Sequence, residues 1–201
     1  RGDVVRSLLT IYQQGGWLPK CSWNATGYSR VMIGNHGIAI IADAWTKGLA
    51  DFDQALAWQA MTKTSTEESK GVQDGTCGYF DLGTPPEYIE RGYVGFECDP
   101  SQAASMTLEL AFDDYCMAAV AALRGDDAAV ETYASRAQSF RNHFDPSTGF
   151  MRPRNRDGSW LEPFDAASMS SFNGFVEANA WIFTFFVPHD VPASIELLGG
   201  D

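Results

Sequence analysis

The chain has 201 residues, 45% of them apolar, which is enough for one large domain with a buried core. Acidic residues outnumber basic ones by 26 to 14, a formal charge of −12, and this disfavours nucleic acid and anionic membrane surfaces as partners, since both need clustered Lys and Arg. No apolar run reaches the roughly 18 residues that span a bilayer; the most apolar, Ala178 to Pro188, is short and ends at proline.

Arg1 to Gln14 reads as a helix whose apolar face is Val4, Val5, Leu8, Leu9, Ile11 and Tyr12, with Gly15-Gly16 suited to a left-handed C-cap. His36 to Lys47 is a second helix, ended by Gly48, and Phe52 to Lys63 a third, with Asp51 or Asp53 as N-cap. Pro85-Pro86 opens a short helix to Glu90. Ser101 or Ser105 starts a long one through Leu123, ended by Gly125, and Asp126-Asp127 starts the next, to about His143. Asp145 to Gly149 is a turn, and the last helices are Glu177 to Val187 and Asp190 to Leu198, split by Pro188. Short strands fit only around Tyr79 and between Phe150 and Trp160, so the pattern predicts an all-α array. No signal peptide opens the chain, and both ends read as cut from something longer.

Cys77 and Cys98 flank a Gly/Pro-rich excursion that a disulfide would staple. Cys116, inside the long helix, reads as a buried thiol, and Cys21 has no evident partner. No C-x-x-C or H-x-x-x-H spacing indicates zinc, and no G-x-x-x-x-G-K loop indicates nucleotide binding. Asn24-Ala25-Thr26 fits the N-glycosylation acceptor pattern, mild support for an extracellular route.

The stretch richest in chemistry is Phe172 to Asp190, FNGFVEANAWIFTFFVPHD. Glu177 is its one glutamate, set among Phe172, Phe175, Val176, Trp181, Phe183, Phe185 and Phe186. In such company an ionised carboxylate loses solvation, its pKa rises, and it becomes a general acid. The alternative is a glutamate facing water on an otherwise buried helix. Asn179, two residues on, would orient the acid's carboxyl or a sugar hydroxyl. Trp17, in a loop after the first helix, either stacks on a sugar or caps a rim. Asn35 and His36 begin a helix whose N–H groups could meet sugar hydroxyls, and Asp43 lies seven residues after His36 on nearly the same face. His36 and Asp43 are thus a binding pair or a structural hydrogen-bonded pair. Glu109 and Asp113 are adjacent on one helix face, as a second catalytic carboxylate or as a solvated or Arg-paired cluster. Asp190 caps the final helix, and His189 beside it is a further binding candidate.

Five blocks in order resemble glycoside hydrolase family 92: GGWLPK from Gly15, MIGNHGIAIIADAWTKG from Met32, TLELAFDDYC from Thr107, FDPSTGFMRPRNRDGSW from Phe144 and EANAWIFTFFVPHDV from Glu177. The resemblance implies a secreted, calcium-dependent, exo-acting α-mannosidase that inverts the anomeric centre of terminal mannose in glycans. It also implies an (α/α)6 barrel behind an N-terminal β-sandwich. Residues 1–201 would then be part of that barrel, incomplete at both ends, without the sandwich or the remaining helices. The general acid of the family's E-G-N-A-W motif falls on Glu177, although Ala178 replaces the glycine and Cys21 stands where the family has tryptophan. The general base, a W-D-T-F-R aspartate and the segment nearest the calcium would lie outside the chain. The 201 residues alone are therefore expected to be inactive, with the calcium ligands mostly elsewhere. Two other readings stay open: another (α/α)6 glycosidase, and a catalytically silent glycan-binding or structural helical module.

Overall fold

The computed structural model describes residues 2–20, 28, 32–49, 51–69 and 82–200. Cys21, Asn24, Cys77 and the strand expected near Tyr79 lie outside them. The described chain is mostly helical, as the periodicity predicts. Its helices are α1 (Gly2–Gly15), α2 (Gly37–Thr46), α3 (Gln54–Thr66), α4 (Pro86–Arg91), α5 (Ala103–Arg124), α6 (Asp127–Arg136), α7 (Ala180–Phe183) and α8 (Val191–Leu197). A 3-10 segment, Ala137–His143, follows α6 directly. Among the described residues a two-stranded hairpin pairs β1 (Phe144–Asp145) with β2 (Phe150–Met151), antiparallel.

Four caps fall where the sequence puts them, whereas α5 starts at Ala103 behind Gln102, with neither Ser101 nor Ser105 capping it. Gly16 takes the left-handed conformation after α1, Asp53 accepts from Leu56 N–H, Asp126 from Ala129 N–H and Asp190 from Ala193 N–H. Each such cap is worth about 1 kcal/mol.

Helix α5 organises the interior. Its 22 residues run for about 33 Å, and they join two apolar clusters. Its later half packs Met117 and Val120 with Val5 and Leu9 of α1, Ile38 and Ile41 of α2, and Met61 of α3. Its first half packs Leu108 and Ala111 with Tyr88, Phe140, Met151, Phe175 and Phe183. A helix shared between two clusters must be apolar on most of its surface, and residues 103–108 are all buried.

Several charged side chains buried beside α5 are paired. Asp114 accepts from the Tyr88 hydroxyl at 2.7 Å and from Arg136 at 2.9 and 3.0 Å, tying α4, α5 and α6 together. Burial pushes this carboxyl up to about 7, against the pull of Arg136. Arg152 and Asp145, both buried, pair at 2.8 Å.

Two expected helices are corrected. The helix expected to reach His143 stops at Arg136, and the tighter 3-10 segment after it carries Phe140 and His143 into the core. The helix expected over Glu177 to Val187 is the single turn of α7, because Asn179 is extended (φ −144°, ψ 178°) and caps it by accepting from Ile182 N–H. Glu177 therefore precedes the helix.

Candidate active site

Glu177 sits in a turn held by the first turn of α5. The carbonyl of Gly174 accepts from the N–H groups of Ala104 (3.0 Å) and Ser105 (3.2 Å), two of the donors a helix start leaves open. Ser105 Oγ in turn accepts from Val176 N–H at 3.1 Å. Gly174 has φ +79°, and a Cβ there would lie 2.5 Å from the ring of Pro153, so only glycine fits. On the other side Asn173 Nδ2 donates to the carbonyls of Ser168 and Ala178. The turn is thus braced at Gly174, Val176 and Ala178, around Glu177.

The aromatic enclosure expected around Glu177 does not form. Its side chain is exposed, and so are Phe172, Trp181 and Phe185, at 54–69%. Phe175 and Phe183 are the rings that turn inward, where they stack on each other. The reason is local: with α7 beginning only at Ala180, a helical face no longer carries Glu177 toward these rings.

Glu177 instead borders a cavity of about 440 Å³ shared with Met32, Ser101, Gln102, Met169 and Ser170. Its backbone lies in the left-handed region (φ 49°), and so does that of Met32 (φ 79°). Among the described residues these are the two non-glycine positions with positive φ, and both face this one cavity. Such backbone strain costs on the order of 1–3 kcal/mol per residue and clusters at functional sites. Among the described residues lining the cavity, Glu177 is the lone carboxylate.

None of the other candidates lines this cavity, although Asn179 touches its Met169. Asn35 is buried; its amide donates to Gly83 O and Thr84 Oγ1, and its N–H donates to Asp113 at 2.6 Å, so it braces the start of α2. His36 does not pair with Asp43. Its Nε2 lies 2.7 Å from Glu109 and its Nδ1 3.0 Å from Asp113, while Asp43 is exposed and pairs with Lys47. Burial opposes the charge on His36, but the hydrogen bonds and charges of Asp113 and Glu109 prevail and lift it to about 10. Glu109 and Asp113 are thus neither solvated nor Arg-paired. His36, Asp43 and Glu109 border a second, largely apolar cavity of about 650 Å³ with Val4, Ile40 and Phe112.

Trp17 has the Lys63 ammonium 4.5 Å from its ring centre, so that cation occupies a face a sugar would need. His189 donates from Nε2 to Ala137 O and stands among Phe112, Tyr115 and Phe140, with its pKa lowered chiefly by burial. Asn179 caps α7, and its Nδ2 faces Ala167 O and Met169 Sδ. The sequence assigns no site role to Met32, Ser101, Gln102 or Ser105, and names Ser101 and Ser105 only as possible helix starts. For Met32 the signal is backbone strain, invisible in a sequence.

Residues 1–201 match the glycosyl hydrolase family 92 catalytic domain over their whole length. The chain belongs to glycosyl hydrolase family 92. The family 92 catalytic domain is an (α/α)6 barrel, and this chain is part of one. It is 30% identical to an inverting mannosidase of the family from Bacteroides thetaiotaomicron VPI-5482, superposing with a TM-score of 0.85 over 98% of this chain and 25% of that one. A second Bacteroides thetaiotaomicron α-mannosidase of family 92 is 31% identical, with a TM-score of 0.86 and the same coverage. An uncharacterized secreted glycosidase of Arthroderma benhamiae is 28% identical over 98% of this chain and 28% of its own length. The chain thus spans about a quarter of the length of these relatives.

The family resemblance implies calcium. Among the described residues no group of three or more His, Cys, Asp or Glu side chains is placed to hold a metal ion. The donors among the described residues do not fit one. No described helix is long and apolar enough to cross a membrane.

Proposed function

We propose that the intact enzyme containing this chain is a secreted, exo-acting α-mannosidase that cleaves terminal mannose from glycans with inversion, and that Glu177 is its general acid. One observation carries the reading: the glutamate matching the family's E-G-N-A-W motif stands in a braced turn, with a left-handed backbone, on the rim of a cavity. The mannosidase neighbours supply the substrate class.

In this reaction the Glu177 carboxyl gives its proton to the glycosidic oxygen as the bond from that oxygen to the anomeric carbon breaks. Water attacks the carbon from the opposite ring face and loses its proton to a second carboxylate. Such a pair stands roughly 6.5–9.5 Å apart in inverting enzymes. The cavity's described lining offers no second carboxylate, and this reading assigns the base to another part of the enzyme. The same division of parts makes residues 1–201 inactive alone. The β-sandwich, the remaining barrel helices and the calcium ligands belong to this reading as parts supplied outside the described residues; glycosylation at Asn24 and a Cys77–Cys98 disulfide belong to it as well. Cys98 itself is buried.

The test is Glu177→Gln in the intact enzyme. Turnover of mannosides with poor leaving groups should fall at least a thousandfold, while activated aryl mannosides, which leave without protonation, keep most of theirs. Equal loss on both classes would remove Glu177 from the acid role.

A further inference from the structure

The cavity beside Glu177 has a wall of one-sided polarity. Asp99, buried just ahead of α5, accepts at Oδ1 from both Ser101 N–H (3.0 Å) and Ser101 Oγ–H (2.5 Å). Its Oδ2 accepts from Gln102 Nε2 at 2.7 Å. A serine hydroxyl has one proton, so Ser101 Oγ, with its proton committed to Asp99, can only accept from anything in the cavity. Gln102 borders the same cavity with no exposed surface, and its Oε1 is buried without a partner, an arrangement that is costly until some donor arrives. Ser101, half-buried, is the member of the pair within reach.

A wall of acceptors selects a ligand that brings donors. A cation would need more charge than is present: both Asp99 oxygens are already in use, and Glu177 is the lone carboxylate of the described lining. A polyhydroxylated ring fits better, because its O–H groups meet Ser101 while its C–H faces meet Met32, Met169, Phe175 and Val176.

We infer that Ser101 is a substrate-binding residue of the Glu177 cavity, its Oγ accepting one sugar hydroxyl, and that Asp99 is the positioning residue that makes Ser101 an acceptor. This rests on the reading of Glu177 given above and adds a specificity contact to it.

The experiment uses the intact enzyme, with methyl α-mannoside and its monodeoxy analogues as probes and calorimetric Kd as the readout. In the wild type one analogue should bind about tenfold more weakly than the parent, the worth of one such hydrogen bond. In Ser101→Ala the parent should weaken by about the same factor, and that analogue should then bind as the parent does. Asp99→Ala, which removes the acceptor and frees the Ser101 proton, should blunt the same preference. Ser101→Cys, with similar shape and a poor acceptor, replaces the alanine variant if that fails to fold. Equal weakening of every probe, or no analogue disfavoured in the wild type, would overturn the proposal. If Glu177→Gln keeps full turnover while the Ser101 preference holds, the acid assignment fails and the subsite stands. The reverse outcome removes the subsite alone.

Discussion

His36 shows how a side chain is claimed by its surroundings. Both ring nitrogens meet carboxylates, Glu109 and Asp113, one turn apart on α5, while Asp43 of the same cavity is neutralised by Lys47. The two nitrogens can serve two carboxylates at once only when both are protonated, so the imidazolium is the form this geometry holds. Because its pKa is raised on folding, the stabilisation is complete below about 6.5 and is lost as pH rises toward about 10. His36→Ala should cost about 1.5 kcal/mol at pH 6, the lower end for a charged hydrogen-bonded pair because the ring is partly exposed and screened. The gap between variant and wild-type unfolding midpoints should narrow steadily between pH 7 and pH 10. A constant gap across that range would show that packing alone is lost.

At the scale of elements, the joint between α5 and the Glu177 turn matters most. Two N–H groups at the start of α5 are satisfied by Gly174, about seventy positions later in the chain, and Ser105 returns the contact at Val176. Neither partner is a local capping residue, so a scan for helix-start signals finds serines near position 101 without finding their purpose. Ser105→Ala leaves Val176 N–H without its acceptor at a cost of about 1–2 kcal/mol. In the intact enzyme it should lower kcat about tenfold with KM nearly unchanged, since a loosened turn misplaces the acid more than it weakens binding. Steady-state kinetics with one aryl mannoside would check this; a change confined to KM would contradict it.

For the molecule as a whole, two clusters folded around α5 give this portion of the barrel a buried interior, yet large apolar side chains remain exposed. Val4 and Ile40 rise on α1 and α2, and Trp181, Ile182 and Phe185 lie in and just after α7. The chain covers about a quarter of its relatives, and the proposed function puts the base and the calcium site elsewhere. Calcium added to residues 1–201 should therefore leave their thermal midpoint unchanged, and this chain should release no mannose from glycans. A chelator should abolish activity in the intact enzyme, with calcium restoring it. A calcium-dependent rise of several degrees in this chain would place ligands within it.

The sequence by itself determined the helical class, most helix ends and the family. These follow from apolar periodicity, from Asp and Gly at caps, and from five ordered motif blocks, all local or linear properties. Tertiary structure decided which residues share a site. It put His36 with Glu109 and Asp113 rather than Asp43, spent Asn35 and Asn179 on the backbone, and set Glu177 outside its aromatic neighbours beside Met32 and Ser101. The physical reason is that the extended Asn179 delays the start of helical periodicity to Ala180, past Glu177. Which side chains then meet depends on contacts tens of residues apart, which no linear spacing encodes.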